Sequence, residues 1–311
     1  MKHFLFIVFG FVVLSSVCVG QQRMKTSIKV PLNHFYMVVD SETYRAIEAD
    51  DFLRKEFAVS EKRTTVRTDI TYTGTYFYGT NTYFEFFDEG SDAKQKFGKS
   101  GLAFGTDQSG QLEALVKNIS SEFSMLPQPV TREFNKKQVD WFYMAVPKNL
   151  ALSGFSFWLM EYHPNFLSSW NSMGEGKDTG VARKDILKRY ADVLKGTPQP
   201  FLKDVVGLTI ALNEKTKADL IKLCQQLGYR LRKDGKKTTL EGFDFKLNLI
   251  SESESVKGIT EITMRVERKP AGKTEFRFGK SVLKFDNKGF AIWAFTGSAS
   301  VPLANERRMR E

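Results

Sequence analysis

A repeated order of elements restricts this chain more than any other feature: a strand, a capped amphipathic helix, then two or three strands. In the first copy residues 31–39 (PLNHFYMVV) read as a strand, and Asp40 or Ser41 can cap a helix running to about Phe57 with Tyr44, Ile47 and Leu53 among its apolar members. Thr64 to Tyr78 and Thr82 to Asp88 then alternate as strands. In the second copy Gly101 to Thr106 is a strand, Asp107 a cap, and Leu112, Leu115, Val116, Ile119 and Phe123 mark an amphipathic helix, with strands at Gln138–Val146 and Phe155–His163. In the third, Asp204–Leu212 is a strand, Asn213 a cap, and Glu214–Leu227 a helix closed by Gly228, with strands at Thr238–Ile250 and Ile259–Val266. Residues 275–295 add strands without a helix. The pattern predicts an α+β protein built on a repeated module.

Composition supports folding. With 311 residues, 41% hydrophobic and 13% aromatic, the chain can fill about two globular domains and is not a disordered or collagenous polymer. The first twenty residues read as a secretory signal: Lys2, an apolar run from Phe4 to Leu14, and small residues ending near Gly20, where cleavage is expected. That apolar run is well short of the roughly 20 residues that span a bilayer as a helix, and no later stretch reaches that length, so no membrane span is expected. A secreted or periplasmic location follows. Loss of Lys2 with the leader leaves 45 basic against 36 acidic residues, a formal charge of +9. Basic residues cluster at 183–195, 230–237 and 265–273, and in the first cluster Lys184, Lys188 and Lys195 lie opposite Ile186, Leu187, Tyr190, Val193 and Leu194, as on a solvated helix face. Neither a zinc-finger spacing nor an RNP-type strand is present, so no nucleic-acid partner is expected. Cys18 leaves with the leader, so Cys224 has no intramolecular disulfide partner, and its place in the helix pattern predicts a buried apolar role.

Anchoring the copies at Asp40, Asp107 and Asn213 places His34, Gly101 and Gly207 six residues earlier. The closing strands TYFEFFD, WLMEYHP and GITEITM align on Glu85, Glu161 and Glu261. The unit opening with LNHFYMVVD, closing with TYFEFFD and followed by GLAFGTD resembles the vicinal oxygen chelate superfamily, the glyoxalase and bleomycin-resistance group, and especially its glyoxalase-like branch. The resemblance covers about residues 29–163 and, more weakly, 203–268. It implies βαβββ modules forming curled mixed sheets with helices outside, and a divalent metal held by first and last strands. Position by position it nominates His34, Glu85 and Glu161; Gly101 stands where the second module often has a ligand. The organisation expected is a signal peptide at 1–20, a two-module glyoxalase-like domain at 21–163, a linker with one helix at 164–200, a third module with extra strands at 201–296, and a tail at 297–311.

Alternation places His34 with Leu32, Tyr36 and Val38, Glu85 with Tyr83 and Phe87, and Glu161 with Phe157, Leu159 and His163. Carboxylates converging on His34 from apolar faces would be costly to bury without a cation. One His with two carboxylates suits Fe, Mn, Zn or Ni and leaves positions for two adjacent substrate oxygens. His163 is a candidate fourth ligand, Glu161 and Glu85 are candidate catalytic groups, and Tyr36, Tyr83 and Trp158 are candidate pocket walls. Three readings stay open. The first is an exported metal-dependent lyase, isomerase or dioxygenase acting on a small substrate with vicinal oxygens. The second is a metal-free protein that binds or sequesters a small molecule on the same scaffold, and the third an interaction surface using the basic clusters. A homodimer is compatible with any of them. The absence of GxSxG, P-loop and GxGxxG patterns disfavours triad hydrolysis and nucleotide chemistry.

Overall fold

The computed structural model describes residues 28–91, 95–148, 154–172, 179–195, 199–235 and 237–295. The expected leader and C-terminal tail lie outside the described residues. Strand (46%) outweighs helix (23%), giving the mixed α+β class expected. The first sheet is built from β1 (Leu32–Val39), β2 (Val59–Val66), β3 (Thr71–Tyr78), β4 (Tyr83–Asp88), β5 (Ser100–Thr106), β6 (Gln128–Phe134), β7 (Lys137–Ala145) and β8 (Phe155–Tyr162). Their order is β2-β3-β4-β1-β5-β8-β7-β6, so two modules join through the antiparallel pair β1/β5. The sheet curls until its two edge strands meet at a bridge between Arg67 and Arg132.

Helix α1 (Ser41–Ala49) starts where expected, with Asp40 Oδ1 accepting from the Thr43 amide at 3.1 Å. It stops early, and Leu53–Phe57 forms a separate π turn that buries Leu53 and Phe57. Helix α2 is only Gln111–Val116. Asp107 is not its cap; that carboxylate instead accepts from the Arg183 guanidinium at 3.1 Å. Two helices follow, α3 (Asn165–Ser172) and α4 (Arg183–Leu194). They are not a linker in the packing sense, because Phe166, Trp170, Ile186, Leu187 and Tyr190 are buried against the inner face of the first sheet.

The second sheet contains β9 (Leu202–Leu212), β10 (Arg230–Asp234), β11 (Lys237–Glu241), β12 (Lys246–Ser251), β13 (Gly258–Val266), β14 (Glu275–Phe278), β15 (Ser281–Phe285) and β16 (Phe290–Phe295). Helix α5 (Glu214–Gln226) follows β9, capped by Asn213 Oδ1 accepting from the Thr216 amide at 2.8 Å. The order β10-β11-β12-β9-β13-β16-β15-β14 repeats that of the first sheet. Thus Ile259–Val266 does not close the third module, as its Glu-centred pattern suggested; β12 does, and β13 opens a fourth module that lacks a helix. The missing helix has a geometric consequence. Without that return traverse the chain reverses direction once fewer, so β16 runs antiparallel to β13 where β8 runs parallel to β5.

The two sheets share one core. Phe35, Phe77, Phe84, Phe86, Leu102 and Phe104 of the first sheet pack with Leu208, Ile210, Ile262 and Trp293 of the second, and α1, α2 and α5 add Ile47, Leu112, Leu220, Leu223 and Cys224. Each fully buried side chain of this size contributes roughly 1.5–3 kcal/mol. Cys224 is buried as expected, and burial pushes its thiol well above the ordinary range. At the seam Asp204 accepts from the amides of Asn81 (2.6 Å) and Thr82 (3.0 Å) and from the Asn81 side chain (2.8 Å). Gly258 (φ +68°) lies so close to Gly98 that a Cβ would fall 1.9 Å from the Gly98 carbonyl oxygen.

Candidate functional site

The inner face of the curled first sheet carries the densest group of chemically capable side chains. Strand β1 sends His34, Tyr36 and Val38 inward, and β4 sends Tyr83, Glu85 and Phe87. A register shift between Leu32 and His34 turns Leu32 to the shared core instead, so Leu32 does not accompany His34 as simple alternation predicted. The parallel β1/β4 register sets His34 beside Tyr83 and Tyr36 beside Glu85. The His34 ring stacks on Tyr83 at 4.4 Å and meets Trp158 edge-on at 5.3 Å. Of the aromatics nominated as pocket walls, Tyr83 and Trp158 thus contact His34, and Tyr36 stacks on Trp158 with ring centroids 6.2 Å apart.

Gly101 explains how these rings fit. A Cβ there would lie 2.4 Å from the Tyr36 ring and 2.9 Å from that of Trp158, so the position where the resemblance implies a ligand is occupied by aromatic volume. Gly74 plays the same part for Phe87, whose ring would lie 2.5 Å from an added Cβ.

Burial governs the charge states. His34 is pushed down to about 3 by burial, with Arg67 acting in the same direction, so its imidazole is neutral. Its Nδ1 lies 2.9 Å from Asn33 Oδ1, an acceptor, which assigns the proton to Nδ1 and leaves Nε2 as an acceptor. Glu85, only 5% exposed, is pushed up to about 8 by burial, against the opposing pull of Arg63, the Tyr76 hydroxyl and Arg67. Near neutral pH it is mainly a carboxylic acid, able to donate as well as accept. Tyr36, Tyr72, Tyr76 and Tyr83 are all raised by burial and further by Glu85.

Glu161 is on the other face. It stands among Phe157 and Leu159, as alternation predicted, but those side chains belong to the core shared between the sheets. Its carboxylate accepts from the amides of Gly110 and Leu112, both at 2.7 Å, and from the Thr106 hydroxyl at 3.1 Å, capping the short helix α2. His163 lies beyond the end of β8, with its Nδ1 accepting from the Asn165 amide at 3.2 Å and 3.7 Å from Asp140. Glu261 sits on the half-buried outer face of the second sheet, where the Thr209 hydroxyl donates to it at 3.4 Å. Among the described residues no three His, Cys, Asp or Glu side chains come together. Of the four nominated ligands the interior holds His34 and Glu85 alone, a donor set that does not fit a divalent metal centre.

Residues that the sequence reading did not nominate complete the interior. Strand β2 directs Arg63 inward, where it pairs with Glu61 at 2.8 Å and its guanidinium lies 4.2 Å from the Tyr76 ring centroid. Strand β6 directs Arg132 inward, under Tyr190 of α4. Their signal is the alternation Val130, Arg132, Phe134, an arginine at an inward position of a strand. The cluster at 183–195 is only partly a solvated face: Lys188 pairs with Asp192, but Arg183 and Arg189 are buried, and Arg183 donates to the Leu32 carbonyl at 2.5 Å. A slot of about 120 Å³ opens between β2, β6 and α4, and a separate cavity of about 290 Å³ lies at the seam of the two sheets, lined by Asp40, Thr43, Thr260 and Lys280.

Residues 32–295 match the model of a family described as "Family of unknown function (DUF5829)". No curated protein matches the chain. Among solved structures, a hypothetical protein from Staphylococcus aureus shares 10% identity at a TM-score of 0.44, with 72% of this chain and 86% of that one covered. A mutant of 4-hydroxymandelate synthase from Streptomyces coelicolor shares 12% identity at a TM-score of 0.34, with 74% of this chain and 64% of that one covered. No helix of the described residues is long and apolar enough to cross a membrane.

Proposed function

The chain belongs to the DUF5829 family, whose function is unknown, and on that premise we propose from its own geometry that the interior of the first sheet binds a compact, largely aromatic small molecule without a metal ion. The observation that carries this reading is the position of Glu161. Its carboxylate is committed to the N-terminus of α2 on the opposite face of the sheet, so among the described residues His34 and Glu85 have no third donor of the kind metal-dependent chemistry would require. What remains inside is a set of binding groups: ring faces from Tyr36, Tyr83 and Trp158, an imidazole acceptor on His34, and a protonated carboxyl on Glu85. Apolar walls with a few convergent polar groups are the usual make-up of a small-molecule site.

The test is a thermal-shift screen of neutral and acidic aromatic compounds against the purified chain, with and without a chelator. Stabilisation that survives chelation and weakens in Glu85→Gln supports the reading; stabilisation abolished by the chelator refutes it. Export with cleavage near Gly20 belongs to the same proposal, and N-terminal sequencing of the protein recovered outside the producing cell checks it.

A further inference from the structure

We propose that the slot between β2, β6 and α4 is an anion subsite, built on Arg132 and taking the carboxylate of a small aromatic acid. The inference rests on the reading of the first-sheet interior as a ligand cup and adds the charge of the ligand. Arg132 is 4% exposed, between the inward residues Val130 and Phe134. Its Nη1 donates to the Tyr190 hydroxyl at 2.5 Å, while its Nε has no hydrogen-bond partner among the described residues. Two acids, Glu61 and Glu133, line the same slot, but neither is paired with Arg132 among the described residues. Glu61 accepts from Arg63 at 2.8 Å and from the Tyr78 hydroxyl at 2.5 Å, and Glu133 points to the exposed side of β6.

A buried guanidinium to which no carboxylate is bonded is unfavourable. Here the rings of Phe166 (4.9 Å), Trp141 (5.0 Å) and Tyr190 (5.6 Å) surround it and offer cation–π attraction. Ring faces are no substitute for hydrogen-bond acceptors, so the Nε edge stays unsatisfied. The slot beside it, about 120 Å³, is also lined by Glu61, Arg63, Thr65, Glu133, Trp170 and Tyr190. That space is larger than one or two waters need and smaller than a drug-sized site, which selects a compact ligand. A carboxylate matches the planar fork of arginine, and an aromatic body matches Trp170 and Tyr190. Inorganic phosphate would meet the charge but leave the ring walls unused.

The experiment is calorimetric titration of the full chain with benzoate, benzamide, acetate and inorganic phosphate, repeated on Arg132→Met and Arg132→Lys. Benzoate is expected to bind at least tenfold more tightly than benzamide, acetate or phosphate. Arg132→Met is expected to weaken benzoate at least tenfold and leave benzamide unchanged, and Arg132→Lys to recover only part of the loss. Equal affinity for benzoate and benzamide overturns the subsite but leaves the ligand cup standing. Preferred binding of phosphate overturns the assignment to an organic acid. Retention of benzoate affinity in a folded Arg132→Met variant overturns the role of Arg132. If that variant does not fold, the benzoate-to-benzamide ratio on the unaltered chain decides. Absence of binding by every probe also overturns the subsite, and the thermal-shift screen then judges the cup separately.

Discussion

Glu85→Gln tests the electrostatics of the interior through the dependence of stability on pH. The Glu85 carboxyl is raised from 4.5 to about 8, chiefly by burial. Between those values the unfolded chain has released a proton that the folded chain keeps, so stability falls as pH rises through the window and levels off above about 8. At about 1.4 kcal/mol for each tenfold in proton affinity, the effect is on the order of 3–5 kcal/mol. That is a large fraction of a typical net stability of about 5–15 kcal/mol. His34 acts with the opposite sign. Lowered from 6.5 to about 3, it is charged in the unfolded chain and neutral in the folded one across that range, so its contribution is lost as pH falls from 6.5 toward 3. The two slopes oppose each other where the windows overlap, and the Glu85 slope stands alone above 6.5. Glutamine preserves the shape of the side chain and cannot ionise. Urea denaturation of both proteins at about pH 5, 6.5 and 8.5 should show the stability of Glu85→Gln minus that of the unaltered chain increasing by on the order of 3–5 kcal/mol from the lowest to the highest pH. Parallel profiles would refute the claim that the fold holds a proton on Glu85.

Two further outcomes follow from placement. Glu161→Ala removes three hydrogen bonds at the start of α2 and should lower stability by about 2–4 kcal/mol, measured by denaturation, without altering metal content. Asp204→Ala leaves the Asn81 and Thr82 amides at the seam without their acceptor and should cost about 1–3 kcal/mol, with hydrogen exchange at those amides rising before exchange in β1.

The modular order was legible because its signals are local. Asp40 and Asn213 cap the helices expected of them, and the strands around His34 and Glu85 alternate as read, apart from Leu32. The fourth module was hidden because the cue used to count modules was a helix, and β13 is followed by none. The failure at Glu161 has a different origin. Period-2 alternation fixes which residues share a face but not which face turns inward. Trp158 and Glu161 are three residues apart on one strand and point to opposite sides, so a pocket containing both was already inconsistent with the pleat. The inward arginines escaped notice because β2 and β6 are edge strands rich in polar residues. They meet only through sheet curling, and α3 and α4 cover them from a segment that reads as a linker.

The account stands on the claim that His34 and Glu85 form part of an organic binding site and not of a metal centre. Titration of the chelator-treated chain with Zn²⁺ and Mn²⁺, followed by elemental analysis, addresses it most directly. The account predicts no saturable binding that depends on His34. One ion retained per chain, and lost in both His34→Ala and Glu85→Gln, would contradict it.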